Sequence, residues 1–315
     1  MLSLTRGREI AVFTKGKDYK GKKIMLHGEH DFKSKQDSEN IVAPNKKYEL
    51  IKDGFWAKNK VSKKDKSIIK KHLEEETKIN TIENEKIQNL YETVLSEVDK
   101  RLKYEMNFDD LKGIELFPLP QKFSERIFVP APSGSGKSTF IGMYLKQLRI
   151  MYPNRRIVIF SRVEHDKPLD RFSNVTRIPL DLDTLMDNPL DVHDFEGDIL
   201  IFDDIDTIIN KQLVQMLRHF RDDVLECGRH YRITCISTSH LIMNFGATRT
   251  LINEAQAICL FPRGASFYQL KTFLDKYLGF DNTQIQEIKN LPSRWVFIWK
   301  EYPKYIVHEK GVLVW

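Results

Sequence analysis

Ala131-Pro132-Ser133-Gly134-Ser135-Gly136-Lys137-Ser138 follows the apolar run Ile127-Phe128-Val129 and precedes Thr139-Phe140-Ile141, a helix-compatible stretch. Strand, glycine-rich turn and helix start come in the order that a phosphate-binding P-loop requires. Gly134 and Gly136 let the turn close around a phosphate. The backbone N–H groups from Ser133 through Gly134, Ser135, Gly136, Lys137 and Ser138 to Thr139 form the cradle, and the new helix offers the positive end of its dipole. Lys137 is expected to reach the β- and γ-phosphates of ATP, and the Ser138 hydroxyl to ligate Mg2+. A glycine-rich loop that matches by chance is the alternative, and the coincidence of all four features argues against it. Ala131 stands where a first glycine is usual, a departure that alanine tolerates if its φ is negative.

Downstream, Leu200-Ile201-Phe202 runs directly into Asp203-Asp204. A buried strand that ends in a carboxylate delivers a fixed charge to the sheet edge where open α/β folds bind ligands. Asp203 is the candidate for the second Mg2+ contact. Taken alone, paired acids after a strand are unspecific, and a cap for the helix that follows Asp206 is the lesser alternative. A later strand ends in Thr238-Ser239-His240, where a polar group can face the γ-phosphate or the attacking water. His240 fits that role in its neutral form, and also fits a plain strand-end histidine. Cys227-Gly228-Arg229-His230-Tyr231-Arg232 precedes this strand, with Gly228 as a helix stop. Arg229, or second Arg232, could project toward a neighbouring subunit's nucleotide as an arginine finger, or be an ordinary surface arginine. His27 and His30 lack the helical spacing of a metal pair and read as turn residues.

The 315 residues carry a formal net charge of +6, with 41% hydrophobic and 30% charged residues. These values describe a globular chain long enough for a sizeable α/β domain and a smaller companion. No stretch approaches the roughly 20 apolar residues of a membrane span, and the first residues lack a signal-peptide core, so the chain is expected to stay where it is made. Cys227, Cys235 and Cys259 form no paired motif and are expected to be buried thiols. The basic excess lies in the N-terminal third, where Lys58, Lys60, Lys63, Lys64, Lys66, Lys70 and Lys71 are interrupted by Asp65 alone. Such a run suits a phosphate backbone, or a solvated helix face.

Short apolar segments at 9–14 and 23–27 predict strands, and the spacing of Leu73, Ile79, Ile82, Ile87, Leu90, Val94 and Val98 predicts one or two helices over 63–104. Residues 113–120, with two prolines, read as an extended connector. Apolar runs at 155–160, 199–202, 233–237 and 257–261 alternate with helical patterns at 137–151, 211–227 and 248–254, which predicts a parallel sheet covered on both faces. A helical pattern over 266–291 and three terminal strands at 295–300, 305–308 and 312–315 complete the chain.

Taken together, the P-loop, Ile199-Leu200-Ile201-Phe202-Asp203-Asp204, Gly228-Arg229-His230-Tyr231-Arg232, Ser237-Thr238-Ser239-His240 and Leu260-Phe261-Pro262-Arg263-Gly264 resemble the genome-packaging ATPases of large nucleocytoplasmic DNA viruses. These belong to the FtsK/HerA group of P-loop translocases. The resemblance covers roughly 117–264. The change of pattern near 110–120 sets off 1–115 as a smaller mixed α+β basic domain that the resemblance does not cover; for 116–315 the resemblance implies an α/β, RecA/FtsK-like P-loop NTPase domain, mainly a parallel sheet with helices on both faces. It further implies ATP and Mg2+ as cofactors and partners in double-stranded DNA, copies of the same chain in a ring, and a capsid vertex or capsid proteins. The work would be done at a viral assembly site in the host cytoplasm, or in the virion. By position, Lys137 and Ser138 would bind nucleotide and metal, Asp203 the metal, Asp204 the water, His240 the sensor role and Arg229 the trans role. The family usually has glutamate where Asp204 stands. A P-loop kinase or NTPase acting on a soluble substrate, and a nucleotide-binding scaffold, are the competing readings.

Overall fold

Continuous apolar runs are stable as strands only when both faces are covered, and five such runs build the centre of this molecule. The computed structural model describes residues 1–27, 47, 48, 50, 51, 53–108, 112–244 and 246–315; His30 lies outside them. The N-terminal part contains β1 (Leu2–Ser3), β2 (Arg8–Lys15), β3 (Lys23–Leu26), then α1 (Asp53–Lys58), α2 (Lys63–Glu74) and α3 (Glu85–Tyr104). It continues into β4 (Glu105–Asn107) and β5 (Glu115–Pro118). The core follows as β6 (Arg126–Pro130), α4 (Lys137–Met151), β7 (Ile157–Ser161), α5 (Lys167–Asp170), β8 (Val175–Arg177), α6 (Leu182–Asp187) and β9 (Ile199–Asp203). After it come α7 (Lys211–Cys227), β10 (Thr234–Ser239), α8 (Arg249–Glu254) and β11 (Ala257–Leu260). The chain closes with α9 (Phe267–Lys276), α10 (Asn282–Asn290), β12 (Val296–Trp299), β13 (Tyr305–His308) and β14 (Gly311–Val314).

Ten strands form one sheet in the order β4-β14-β13-β12-β11-β6-β10-β9-β7-β8. From β11 to β8 every neighbour is parallel, and β12, β13, β14 and β4 extend the sheet antiparallel. This is the α/β P-loop architecture expected from the sequence. The position of β10, between β6 and β9, matters most. Because the strands are parallel, their C-terminal ends share one edge, and the end of β10 separates the P-loop from the acidic end of β9.

Both faces are filled. Ile141, Tyr144, Leu145 and Leu148 of α4 pack one face. Leu217, Phe220 and Val224 of α7, with Leu270 and Phe273 of α9, pack the other. A second sheet, β1-β3-β2-β5, lies over the first face. Phe117 of β5 packs against Phe140 at 5.1 Å and Trp295 at 5.4 Å, so both sheets share one core.

Some expectations change here. The segment read as a connector is a strand, β5, paired with β2, and the boundary drawn after residue 115 falls inside it. The edge strand β4 pairs with β14, which ties residues 105–107 to the C-terminal sheet. Cys235 and Cys259 are buried, but Cys227, the last residue of α7, is exposed, because the helix ends there and nothing packs over its final residue.

Candidate functional site: a phosphate cradle facing two carboxylates

The cradle is built by two glycines. Gly134 (φ +77°) and Gly136 (φ +102°) take left-handed conformations that a side chain would strain, and Gly136 caps α4. Ala131 is not among the positive-φ residues, so the substitution for the usual glycine is accommodated. The turn after β11 braces the cradle: a Cβ at Gly264 would meet Ser135 Oγ at 3.2 Å, and one at Gly136 would meet the Phe261 ring at 3.7 Å. The Leu-Phe-Pro-Arg-Gly segment therefore lies against the cradle, while Arg263 itself is exposed.

Lys137 is 7% exposed. Its Nζ donates to Ala131 O at 2.8 Å and pairs with Asp204 Oδ2 at 3.1 Å. His240 Nε2 reaches the same Oδ2 at 3.1 Å. Thr238, at the end of β10, sits between the acids, with Oγ1 at 3.1 Å from Asp203 Oδ1 and 2.8 Å from Asp204 Oδ1. That oxygen also accepts the Asp204 N–H at 2.8 Å. Ser161, the register partner of Asp203 on β7, donates to Asp203 Oδ2 at 2.9 Å. Burial, reinforced by the neighbouring Asp204 carboxylate, raises the Asp203 pKa above its usual value, against the lowering effect of the Ser161 and Thr238 hydrogen bonds.

The helix-cap alternative for the two acids does not hold. α7 is capped by Asn210, which accepts from Gln212 N and Leu213 N. The Asp204 side chain makes no cap bond, and Asp204 adopts φ +47°, a strained conformation held by Thr238. Two carboxylates against one ammonium leave the site net negative, which suits a divalent cation. The Ser138 hydroxyl has no hydrogen-bond partner among the described residues, and with Asp203 it offers the hard oxygen ligands that Mg2+ prefers. The glycine-built turn at the start of α4 supplies inward N–H groups for phosphates. The residues therefore fit ATP with Mg2+.

Arg229 is not in this cluster. It lies on the turn before β10, whereas Thr238 and His240 lie at that strand's other end, roughly 17–20 Å away at the usual rise per residue. It is exposed. Arg232 instead braces the fold. Its guanidinium stacks on Phe123 at 4.3 Å, a ring that Arg155 also approaches at 4.2 Å, and its carbonyl accepts from Arg155 Nη2. The turn thus leaves Arg229 as the arginine free to face another molecule.

A 197-residue stretch is 36% identical to the uncharacterized protein V3 of Sputnik virophage, covering 62% of this chain and 78% of that protein. The chain belongs to the family of that viral protein. No family model matches the sequence. Among solved structures, it is similar to the genome packaging NTPase B204 from Sulfolobus turreted icosahedral virus 2 in complex with ATP-gammaS. There the TM-score is 0.42 at 14% identity, over 60% of this chain and 98% of that one. It is also similar to the cytoplasmic domain of the type VII secretion ATPase EccC of Thermomonospora curvata, with a TM-score of 0.41 at 12% identity, over 66% of this chain and 28% of that one.

Sequence reasoning passed over Thr238 and Ser161. Their signal was a hydroxyl residue closing a strand beside the acidic strand, legible only once strand order is known. Thr238→Val keeps the shape but removes the bridge and leaves the Asp204 N–H without its acceptor. It is expected to destabilise the fold by about 1–2 kcal/mol and slow ATP hydrolysis about tenfold, with Thr238→Ser restoring both. Thermal melts and steady-state hydrolysis check this; a valine variant with unchanged turnover would remove Thr238 from the site.

Proposed function

We propose that this chain is an ATP-hydrolysing motor that translocates double-stranded DNA into a viral capsid. The observation that carries the reading is the contact of the cradle lysine with the acid at the end of β9, Lys137 with Asp204 at 3.1 Å, and of His240 with the same oxygen. Bound ATP would supply the transferable phosphoryl group, and Mg2+ the positive charge that offsets the charge of its phosphates. In this reading Lys137 exchanges Asp204 for the β- and γ-phosphates, while the backbone from Ser133 to Thr139 wraps them. Ser138 and Asp203 would hold the metal. Asp204, released from Lys137, orients a water and takes its proton, and His240 keeps the carboxylate aimed. The relative is a virophage protein, in keeping with a packaging role; on this reading the motor works at an assembly site in the host cytoplasm, with a capsid vertex as docking partner.

The deciding measurement is ATPase activity with and without linear double-stranded DNA over a salt series. A motor is stimulated by DNA, and less so as salt rises. Hydrolysis indifferent to DNA would return the chain to the class of soluble NTPases, and nucleotide binding without turnover to that of scaffolds.

Arg229, exposed and remote from its own cradle, is proposed to act on the neighbouring subunit of a ring, which needs a head-to-tail interface that closes. Arg229→Ala is expected to leave nucleotide affinity unchanged and lower turnover about 1,000-fold in the assembled form. Mixing Lys137→Ala and Arg229→Ala subunits should restore part of the activity; no rescue in mixed rings of verified assembly would count against the trans role.

A further inference from the structure

Residues 53–104 form a helical arm with a core of its own, including Trp56, Ile69, Leu73, Tyr91, Val94 and Val98. The arm is joined to the large sheet at the end of α3, where Tyr104 is followed directly by β4. Twenty residues of α-helix span about 30 Å. At the start of α3, Lys86 pairs with Asp65 in the first turn of α2 at 2.9 Å. The start of α2 thus sits by the end of α3 remote from the sheet.

That end is where the basic run is concentrated. Lys58, Lys60, Lys63 and Lys64 are exposed, and none lies within salt-bridge distance of a carboxylate among the described residues. The later lysines of the run are compensated: Lys70 faces Glu74 and Lys71 faces Glu75, each at 3.8 Å. Asp65, the one acid within the run, is taken by Lys86 while also feeling Lys64. Lys66 lies over the Trp56 ring at 5.4 Å and Lys70 over Tyr48 at 5.7 Å. Four like charges in seven residues repel one another unless a polyanion neutralises them. Lysine ammoniums are point charges without the planar fork of arginine, so they suit phosphates of any sequence rather than base edges.

We propose that the basic end of this arm contacts the phosphate backbone of double-stranded DNA, at a surface separate from the ATPase site. The proposal rests on the DNA-translocating reading above. The test uses the full chain with Lys58, Lys60, Lys63 and Lys64 all changed to Gln, and a control chain with Lys17, Lys20, Lys146 and Lys271 changed to Gln. The control positions are also exposed, and net charge falls equally. Binding to a fluorescent DNA duplex is followed over a salt series, with hydrolysis in the absence of DNA as the check on folding. The first variant should keep its basal hydrolysis, lose at least about 100-fold in affinity at low salt, and show a log–log salt slope shallower by about 3 to 4. The control should lose far less. An unchanged slope in the first variant, or an equal loss in the control, overturns the proposal while DNA-stimulated hydrolysis of the unmodified chain leaves the motor reading standing. Competition by poly-glutamate as strong as by DNA overturns the choice of nucleic acid. An unmodified chain whose hydrolysis ignores DNA overturns the motor reading and this proposal with it.

Discussion

Lys137→Ala is expected to weaken ATP binding by about 100-fold or more, close to 2.8 kcal/mol, and to lower turnover about 1,000-fold. The ammonium is 7% exposed and held between Ala131 O and Asp204 Oδ2, so it is already aimed at the cradle before any nucleotide arrives. A charge-assisted bond from such a buried donor to a phosphate contributes about 1.5–3 kcal/mol, and no neighbouring side chain in the cradle carries a replacement charge. Removing it also leaves two adjacent carboxylates with no ammonium beside them, so the thermal midpoint should fall as well. Calorimetric titration with a non-hydrolysable ATP analogue, at a temperature where circular dichroism shows the variant folded, separates the two effects. Native affinity in a folded variant would sink the cradle assignment.

Why some of this was legible in the sequence and some was not follows from the range of the forces involved. α4 and α7 begin and end where the residues predict, because their limits are set locally: Gly136 and Asn210 cap the starts, and Gly228 follows the end of α7. The five core strands announce themselves as apolar runs. β8, by contrast, is three residues, Val-Thr-Arg, with the threonine exposed and its neighbours half-buried, whose strand character comes only from pairing with β7. β5 was hidden by Pro118 and Pro120, which read as loop punctuation although β2 supplies its pairing. The acids and the lysine of the site could be chosen from motif spacing. The Thr238 bridge could not, since it depends on β10 lying between β6 and β9. The distance of Arg229 from its own cradle is likewise a property of the sheet, not of the local sequence.

That same sheet order sharpens the expectation for Asp204→Asn. The amide retains an oxygen for Thr238 to bond but cannot take a proton from water, and it gives up the charge that holds Lys137 and His240. ATP affinity should therefore stay within a few-fold of the native value, since Lys137 is freed for the phosphates, while hydrolysis slows by about 100- to 1,000-fold. The side chain here is one methylene shorter than the glutamate usual in the resembling family. Two observations compensate: the left-handed backbone at Asp204, φ +47°, turns the carboxylate out of the strand, and His240 grips it at 3.1 Å. If His240 works through Asp204, the effects of His240→Ala and Asp204→Asn will not add, and the double variant will hydrolyse ATP about as slowly as Asp204→Asn alone. Single-turnover hydrolysis measured on both single variants and the double variant decides this. Full additivity would give His240 an independent contact with the reacting phosphate, and native turnover in Asp204→Asn would mean that another group handles the water.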